Sequence, residues 1–251
     1  MNTSLIERDE QAWASQADGT RFVVPGVSWR VYKTLVEDLS ASSPIRVAYD
    51  GRNMELMVRG PMHHRHAKWI DRLIMAIADE LEVPIEDLGE TTWQREQADR
   101  GSEADLDYHA DVVLMGHGQR EQADRGSEAD LSYFFVPAKI EAVREAEQRE
   151  SNKADDYPDP DLVVEVDISP PQVDREGIYA TLKVPEVWLF DGQVLTIWRL
   201  RPDGRYAQAE SSEWLGIRAD QAARWLIQED RRDRKAWTTR LATWVRGGMT
   251  P

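Results

Sequence analysis

Two carboxylates sit two residues apart in an otherwise apolar run, LVVEVDI, over Leu162–Ile168. A strand sends alternate side chains to opposite faces, so Glu165 and Asp167 share one face and Val164, Val166 and Ile168 the other. Two ionised carboxylates on a buried face are costly unless a cation or hydrogen-bond donors compensate them. Hard-cation binding is the chemistry such a pair suits, because Mg²⁺ takes one or two carboxylates and keeps several waters. A neighbouring strand would complete the set. Asp130, in SEADLSYFF just ahead of an apolar run, is the candidate, and Glu55 in MELMV is a third acid inside an apolar strand. The plainer alternative is a strand end whose polar face opens to solvent.

Other residue types offer less. His63, His64 and His66 cluster at the start of a helical pattern, with His63 and His66 one turn apart. No third zinc ligand accompanies them, so they read as surface histidines or as supports behind a site. His109 and His117 read as incidental. The chain has no cysteine, which excludes a disulfide scaffold, a thiol nucleophile and Cys-ligated metal centres. It has neither a phosphate-cradling Gly-rich loop nor a Ser/His/Asp signature.

The elements that would carry these residues read as a mixture of helices and strands. Val27–Asp38 has the apolar spacing of a short helix, and Ile45–Tyr49 and Met54–Val58 flank the turn dipeptide Asp50-Gly51 as a hairpin. His63–Val83 is the clearest helix, with Trp69, Ile70, Leu73, Ile74, Ile77 and Leu81 on a 3.6 period before Pro84. A short helix ends over Tyr179–Lys183, strands follow over Val187–Phe190 and Val194–Leu200, and Ala219–Ile227 and Lys235–Val245 are amphipathic helices. The tryptophans, Trp188 and Trp198 among them, fall at core-like positions and read as packing. No Pro-, Gly- or Ser-rich linker divides the chain, so residues 1–251 read as a single α/β domain.

One segment occurs twice. Gln94–Leu106 (QREQADRGSEADL) returns unchanged as Gln119–Leu131, 25 positions later. Two copies are too few for a solenoid, so this is a local duplication, natural or engineered. Only one copy can fill the original place in the core. Ser132–Val136 (SYFFV) is a better strand than Asp107–Ala110 (DYHA), which favours the second copy and its Asp130. The first copy is then expected to be extruded as a loop or accessory hairpin. The competing register uses Asp105, with Asp111–Met115 (DVVLM) as the continuing strand.

Charge bears on partners. The chain carries a net charge of −15, yet residues 216–251 hold 8 Lys+Arg against 4 Asp+Glu. A uniformly acidic surface repels nucleic acid, whereas a basic C-terminal face could still touch a phosphate backbone. Residues 95–166, with 8 Lys+Arg against 19 Asp+Glu, suit divalent cations instead. The longest apolar runs are far short of a membrane span and the N-terminal residues lack an apolar signal stretch, so a cytoplasmic location away from membranes is expected.

Taken in order, RFVVPGVSWRVYKTLVEDL, RVAYDGRNMELMVRGPMHHRHAKWIDRLI, ELEVPIEDLGETTW, SEADLSYFF and PDLVVEVDISPPQVDREGIYATLKVPEVWLFDG resemble the Uma-type restriction endonucleases, a bacterial family of the PD-(D/E)XK nuclease superfamily. The resemblance runs from Arg21 to Arg246 apart from the 25-residue insertion. It implies a restriction-endonuclease-like core, a central mixed β-sheet flanked by helices. It also implies Mg²⁺- or Mn²⁺-dependent hydrolysis of DNA phosphodiester bonds, by a homodimer where both strands are cut. Carried over residue by residue, Glu55 matches the acid of the first conserved strand and His63 the histidine opening the next helix. Asp130 matches the Asp of the "PD" element, with Ala129 in place of Pro, and Glu165 the acid of "(D/E)XK". Asp130, Glu165 and the carbonyl of Val166 would hold the metal. Asp167 stands where the superfamily has Lys, and Arg175 occupies the place where relatives often put one. An arginine there stabilises a transition-state charge but accepts protons poorly. Tyr179, four residues on, would share its helix face. The alternative is a nuclease-fold binding or scaffold protein with weak or no chemistry.

Overall fold

The structure is a computed structural model and describes residues 20–39, 45–89, 91–95, 124–149 and 156–249. Its first strands are β1 (Arg21–Val24), β2 (Ile45–Tyr49) and β3 (Met54–Val58). The Asp50-Gly51 turn joins β2 to β3: Asp50 Oδ1 accepts the backbone N–H groups of Arg52 and Asn53 at 3.0 and 2.7 Å, and Gly51 takes a left-handed φ of 95°. Helix α1 (Trp29–Asp38) begins at Ser28, whose side chain caps Val31 N–H. It lays Tyr32 on the sheet between Trp29 and Tyr49, with ring centroids 4.9 and 5.3 Å away.

Helix α2 (Pro61–Glu80) buries His63, Ala67, Trp69, Ile70, Leu73, Ile74, Ile77 and Ala78. It begins two residues before the expected span His63–Val83 and ends three residues short of it. After it come β4 (Glu86–Asp87), β5 (Thr91–Arg95), β6 (Arg125–Ala129), β7 (Leu131–Phe134), α3 (Pro137–Gln148), β8 (Leu162–Val166), α4 (Arg175–Thr181), β9 (Glu186–Phe190), β10 (Leu195–Leu200), β11 (Tyr206–Ala209), α5 (Ala219–Ile227) and α6 (Arg234–Arg246).

The α/β class and the mixed sheet agree with the expectation, with one addition. The strands form two sheets. A five-stranded antiparallel sheet has the order β1-β3-β2-β6-β5, and a six-stranded mixed sheet has the order β11-β10-β9-β8-β7-β4. Only β8 and β9 run parallel in the second, with α4 as the crossover between them. Asp130 is the single residue between β6 of one sheet and β7 of the other.

The mixed sheet is covered on both sides. Leu162, Val164 and Val166 of β8 pack with α2, α5 and α6, while Val163 packs with Ile140 and Val143 of α3 and Ile178 and Tyr179 of α4. Period 2 therefore places Glu165 on the Val163 side, under α4. All five residues of β8 are buried, so this strand does not open to solvent at its acidic face. Helix α3 lacks a local side-chain cap. Asp161 supplies it from outside, accepting Phe135 N–H, Val136 N–H and Lys139 Nζ at 2.8, 2.9 and 2.6 Å.

Of the duplicated segment, the second copy supplies β6 and Asp130. The first copy contributes Gln94 and Arg95 to the end of β5, where they pair with Gly126 and Arg125 of the second. Asp105, His109, Asp111 and His117 lie outside the described residues, as does the expected loop or hairpin. Gly126 in β6 has a steric reason to be glycine: an added Cβ would run into the Tyr32 hydroxyl and ring.

Candidate functional site

Glu55, Asp130, Glu165 and Arg175 come from β3, the β6–β7 junction, β8 and α4, and they meet in one buried cluster between the two sheets. Arg175 is the centre. Its Nη1 donates to Glu165 Oε1 at 3.2 Å and to Ser127 Oγ at 2.5 Å, and its Nη2 donates to Glu55 Oε1 at 3.1 Å. Glu55 also takes Arg21 Nη1 at 2.5 Å, and its Oε2 accepts Gln172 N–H at 2.6 Å. Arg21 reaches from β1 to Asp167 with its other nitrogen and to Ser169 Oγ at 2.9 Å with Nε.

Asp130 holds the other end. The register places Leu131 opposite Val164, so Asp130 lies level with Glu165. Its Oδ2 accepts Val166 N–H at 2.8 Å and lies 3.1 Å from His63 Nε2, while Oδ1 lies 3.5 Å from Arg46 Nη2. Arg46 also pairs with Glu128. His63 is therefore buried against the candidate site rather than on the surface. The turn at Gly60-Pro61 starts α2 so that His63 points inward.

Burial and charge set the protonation of this cluster. Burial pushes the Asp130 carboxyl up, but His63, Arg46 and the Val166 N–H outweigh it and hold it below the usual range. Glu165 goes the other way. Burial, with Asp130 and Asp167 close by, pushes its carboxyl up to about 8 against the pull of Arg175 and Tyr179. Burial works against the Arg175 charge, but Glu165, Asp167 and Glu55 outweigh it and keep the guanidinium protonated. Three arginines (Arg21, Arg46 and Arg175) serve five carboxylates (Glu55, Glu128, Asp130, Glu165 and Asp167), and a proton held by Glu165 at neutral pH offsets part of that imbalance.

Two oxygens of the cluster accept no hydrogen bond. Asp130 Oδ1 is buried and has only the 3.5 Å ion pair with Arg46 Nη2. The donors on Glu165 (Tyr179 Oη, Arg175 Nη1 and Ser127 Oγ) all fall on Oε1, leaving Oε2 uncommitted. Two carboxylate oxygens that accept no hydrogen bond, on residues level with each other, fit the donor chemistry of a hard divalent cation, whose binding would displace the Glu165 proton. Among the described residues no three His, Cys, Asp or Glu side chains converge as a ready ligand set, so an ion here would rest on two carboxylates with water.

The model of the family Uma2, described as "Putative restriction endonuclease", matches residues 123–217. Over those residues the chain is similar to the Uma2 family. The Uma2 match takes in Asp130, Glu165, Arg175 and Tyr179, while Arg21, Arg46, Glu55 and His63 come from outside it. No curated protein and no solved structure matches the chain.

Arg21, Arg46 and Ser127 are members of the cluster that the sequence did not single out. Arg21 opens an apolar strand as an ordinary flanking charge would, and only the pairing of β1 with β3 brings it to Glu55. Arg46 carried a usable signal: it is a charged residue inside the apolar run IRVAY.

Proposed function

We propose that this chain is a metal-dependent DNA endonuclease that hydrolyses phosphodiester bonds at the Asp130–Glu165 pocket. The observation that carries the reading is the pair of carboxylate oxygens that accept no hydrogen bond, Asp130 Oδ1 and Glu165 Oε2, beside a guanidinium that is itself fixed by two carboxylates. The Uma2 match supports a nuclease-like chemistry, and Mg²⁺ or Mn²⁺ is the ion class the oxygen donors favour. Asp130 and Glu165, with the Val166 carbonyl, are the residues that would hold it. Bound there, the ion would acidify a water and polarise the scissile phosphate.

The protein's own groups divide the remaining work. Arg175 offsets charge on the phosphate oxygens as they become more negative in the transition state. Glu55 positions Arg175 by accepting its second nitrogen and is held by Arg21 and the Gln172 N–H. His63 and Arg46 keep Asp130 ionised. Tyr179 fixes the Glu165 rotamer through Oε1 and leaves the other oxygen for the ion. Duplex cleavage requires two such sites, and a homodimer would supply them.

A second reading has its own observation. Asp167, where the superfamily has a lysine, is tied to Arg21, so no amine stands beside Glu165 to take a proton. That arrangement favours a nuclease-fold protein that binds DNA and cuts it poorly. Nicking of supercoiled DNA with Mg²⁺ or Mn²⁺ separates the two. The nuclease reading expects nicking by the wild type and a loss of at least about 100-fold in Glu165→Gln. No nicking by the wild type with either metal would sink it and leave the binding reading.

A further inference from the structure

Away from the pocket, one groove of about 350 Å³ runs along the outer face of α2 where it meets the start of α6. Arg65, Lys68 and Arg72 project from α2 at helical spacing, and Arg231 and Arg234 approach from the α6 side. Among the described residues none of these five pairs with an Asp or Glu. Nearby surface arginines behave differently: Arg218, Arg232, Arg240 and Arg246 each have a carboxylate within 4 Å, at 2.9, 2.8, 3.6 and 3.4 Å. Five unneutralised cations around one groove are unexpected in a chain of net charge −15.

The cations are also held in place. The guanidinium carbons of Arg72 and Arg231 lie 4.9 and 5.4 Å from the centroid of Trp69, a nearly buried ring set edge-on against Trp237. Arg231 is partly buried and repelled by Arg65, which lowers its pKa, so an anion between them would relieve a standing repulsion. The groove is elongated: His64 to Arg72 spans about 12 Å along the helix, room for more than one phosphate of a strand. Pro61 and His64 line one end of it, on the same first turns of α2 that carry the inward-facing His63.

We propose that this groove, lined by Arg65, Lys68, Arg72 and Arg234 with Arg231 at its edge against Trp69, docks the phosphodiester backbone of DNA. The choice of DNA over another polyanion rests on the nuclease reading of the Asp130–Glu165 pocket. The groove contributes sequence-independent affinity and sets the strand's path; it takes no part in bond cleavage.

The test is binding of a short labelled DNA duplex in EDTA, by fluorescence anisotropy across a salt series, so that chemistry plays no part. The groove variant Arg65→Glu/Lys68→Glu/Arg234→Glu changes only exposed side chains, and Arg65→Gln/Lys68→Gln/Arg234→Gln removes charge without reversing it. The control Arg218→Glu/Arg232→Glu/Arg240→Glu makes the same charge change on paired arginines. The groove reversal is expected to weaken binding at least about 30-fold and to lower the slope of log K against log salt by about 2–3, with the control changing affinity only a few-fold. Equal losses in groove and control variants would overturn the proposal. So would a poly-glutamate peptide that binds the groove more tightly than the duplex does. Glu165→Gln should bind like the wild type. If the wild type binds through the groove but never nicks, the groove stands and the nuclease reading falls. If it nicks and the groove variants bind unchanged, the groove falls alone.

Discussion

Glu165 and Asp130 are neighbours that titrate in opposite directions, and pH separates them. A carboxyl whose folded pKa is raised, as Glu165 is to about 8 from 4.5, adds stability that is whole below about 4.5 and is lost as pH rises through 8. A carboxyl held low, as Asp130 is, adds stability above its unfolded value and loses it as pH falls through the folded one. In metal-free buffer Glu165→Gln should therefore melt above the wild type at pH 9 and near it at pH 5, by about 2–4 °C per kcal/mol recovered. Asp130→Asn should melt below the wild type at pH 7, the gap closing in acid. Thermal scans from pH 4 to 9 check both, and an unchanged gap for Glu165→Gln at every pH would contradict the assignment. Arg175 serves two carboxylates and Ser127 through one planar fork. Arg175→Ala leaves those buried charges facing one another and should cost about 3–5 kcal/mol in urea denaturation. Arg175→Lys should cost less than half of that, because an ammonium keeps the charge but cannot span both carboxylates.

At the scale of elements, the sequence carried its message where an acid interrupts an apolar strand. Glu55 in β3 and Glu165 in β8 stand out for that reason, and β2, β3, α2 and α5 follow from their turns and periods nearly residue for residue. The elements that escaped reading are those whose signals come from elsewhere. Helix α3 starts after Val136, a poor cap, because Asp161 reaches over from ahead of β8. Strand β1 is four residues long, β4 has two, and β11 reads YAQA; none has a pattern long enough to show a period. The division into two sheets was equally invisible, since it depends on the chain changing direction at one residue, Asp130. The duplication permits a test at this scale. Removing 25 consecutive residues anywhere from residue 94 to 131 yields one and the same sequence, with β5 joined to β6 by 4 residues instead of 29. Counting chain length alone, closure becomes easier by about 2 kcal/mol. The shortened protein should fold with the same near-ultraviolet circular dichroism and a melting midpoint at or above that of the full chain. A lower midpoint would mean that the insertion contributes contacts to the fold.

The whole molecule is acidic on average and basic in one groove, and salt should act on these two properties in opposite senses. Screening relieves the self-repulsion of −15 charges while barely reaching the buried ion pairs, so the melting midpoint should rise modestly between 10 and 150 mM NaCl. DNA affinity should fall over the same range. Parallel melting and anisotropy titrations check this, and a midpoint that drops with salt would show that surface attraction, rather than repulsion, governs stability. The pocket itself has a wider consequence. Arg21 joins Glu55 of the antiparallel sheet to Asp167 and Ser169 beyond β8, Arg175 joins Glu55 to Glu165, and Asp130 completes the end of the β7–β8 ladder by taking Val166 N–H. The groups that would cut DNA are the same groups that fasten one sheet to the other. A descendant that abandoned catalysis would still be under selection to keep Arg21, Glu55, Asp130 and Arg175, because losing one of these leaves its buried partners uncompensated. Persistence of these carboxylates across a lineage would therefore testify to cohesion first, and only an assay of cleavage could speak for chemistry.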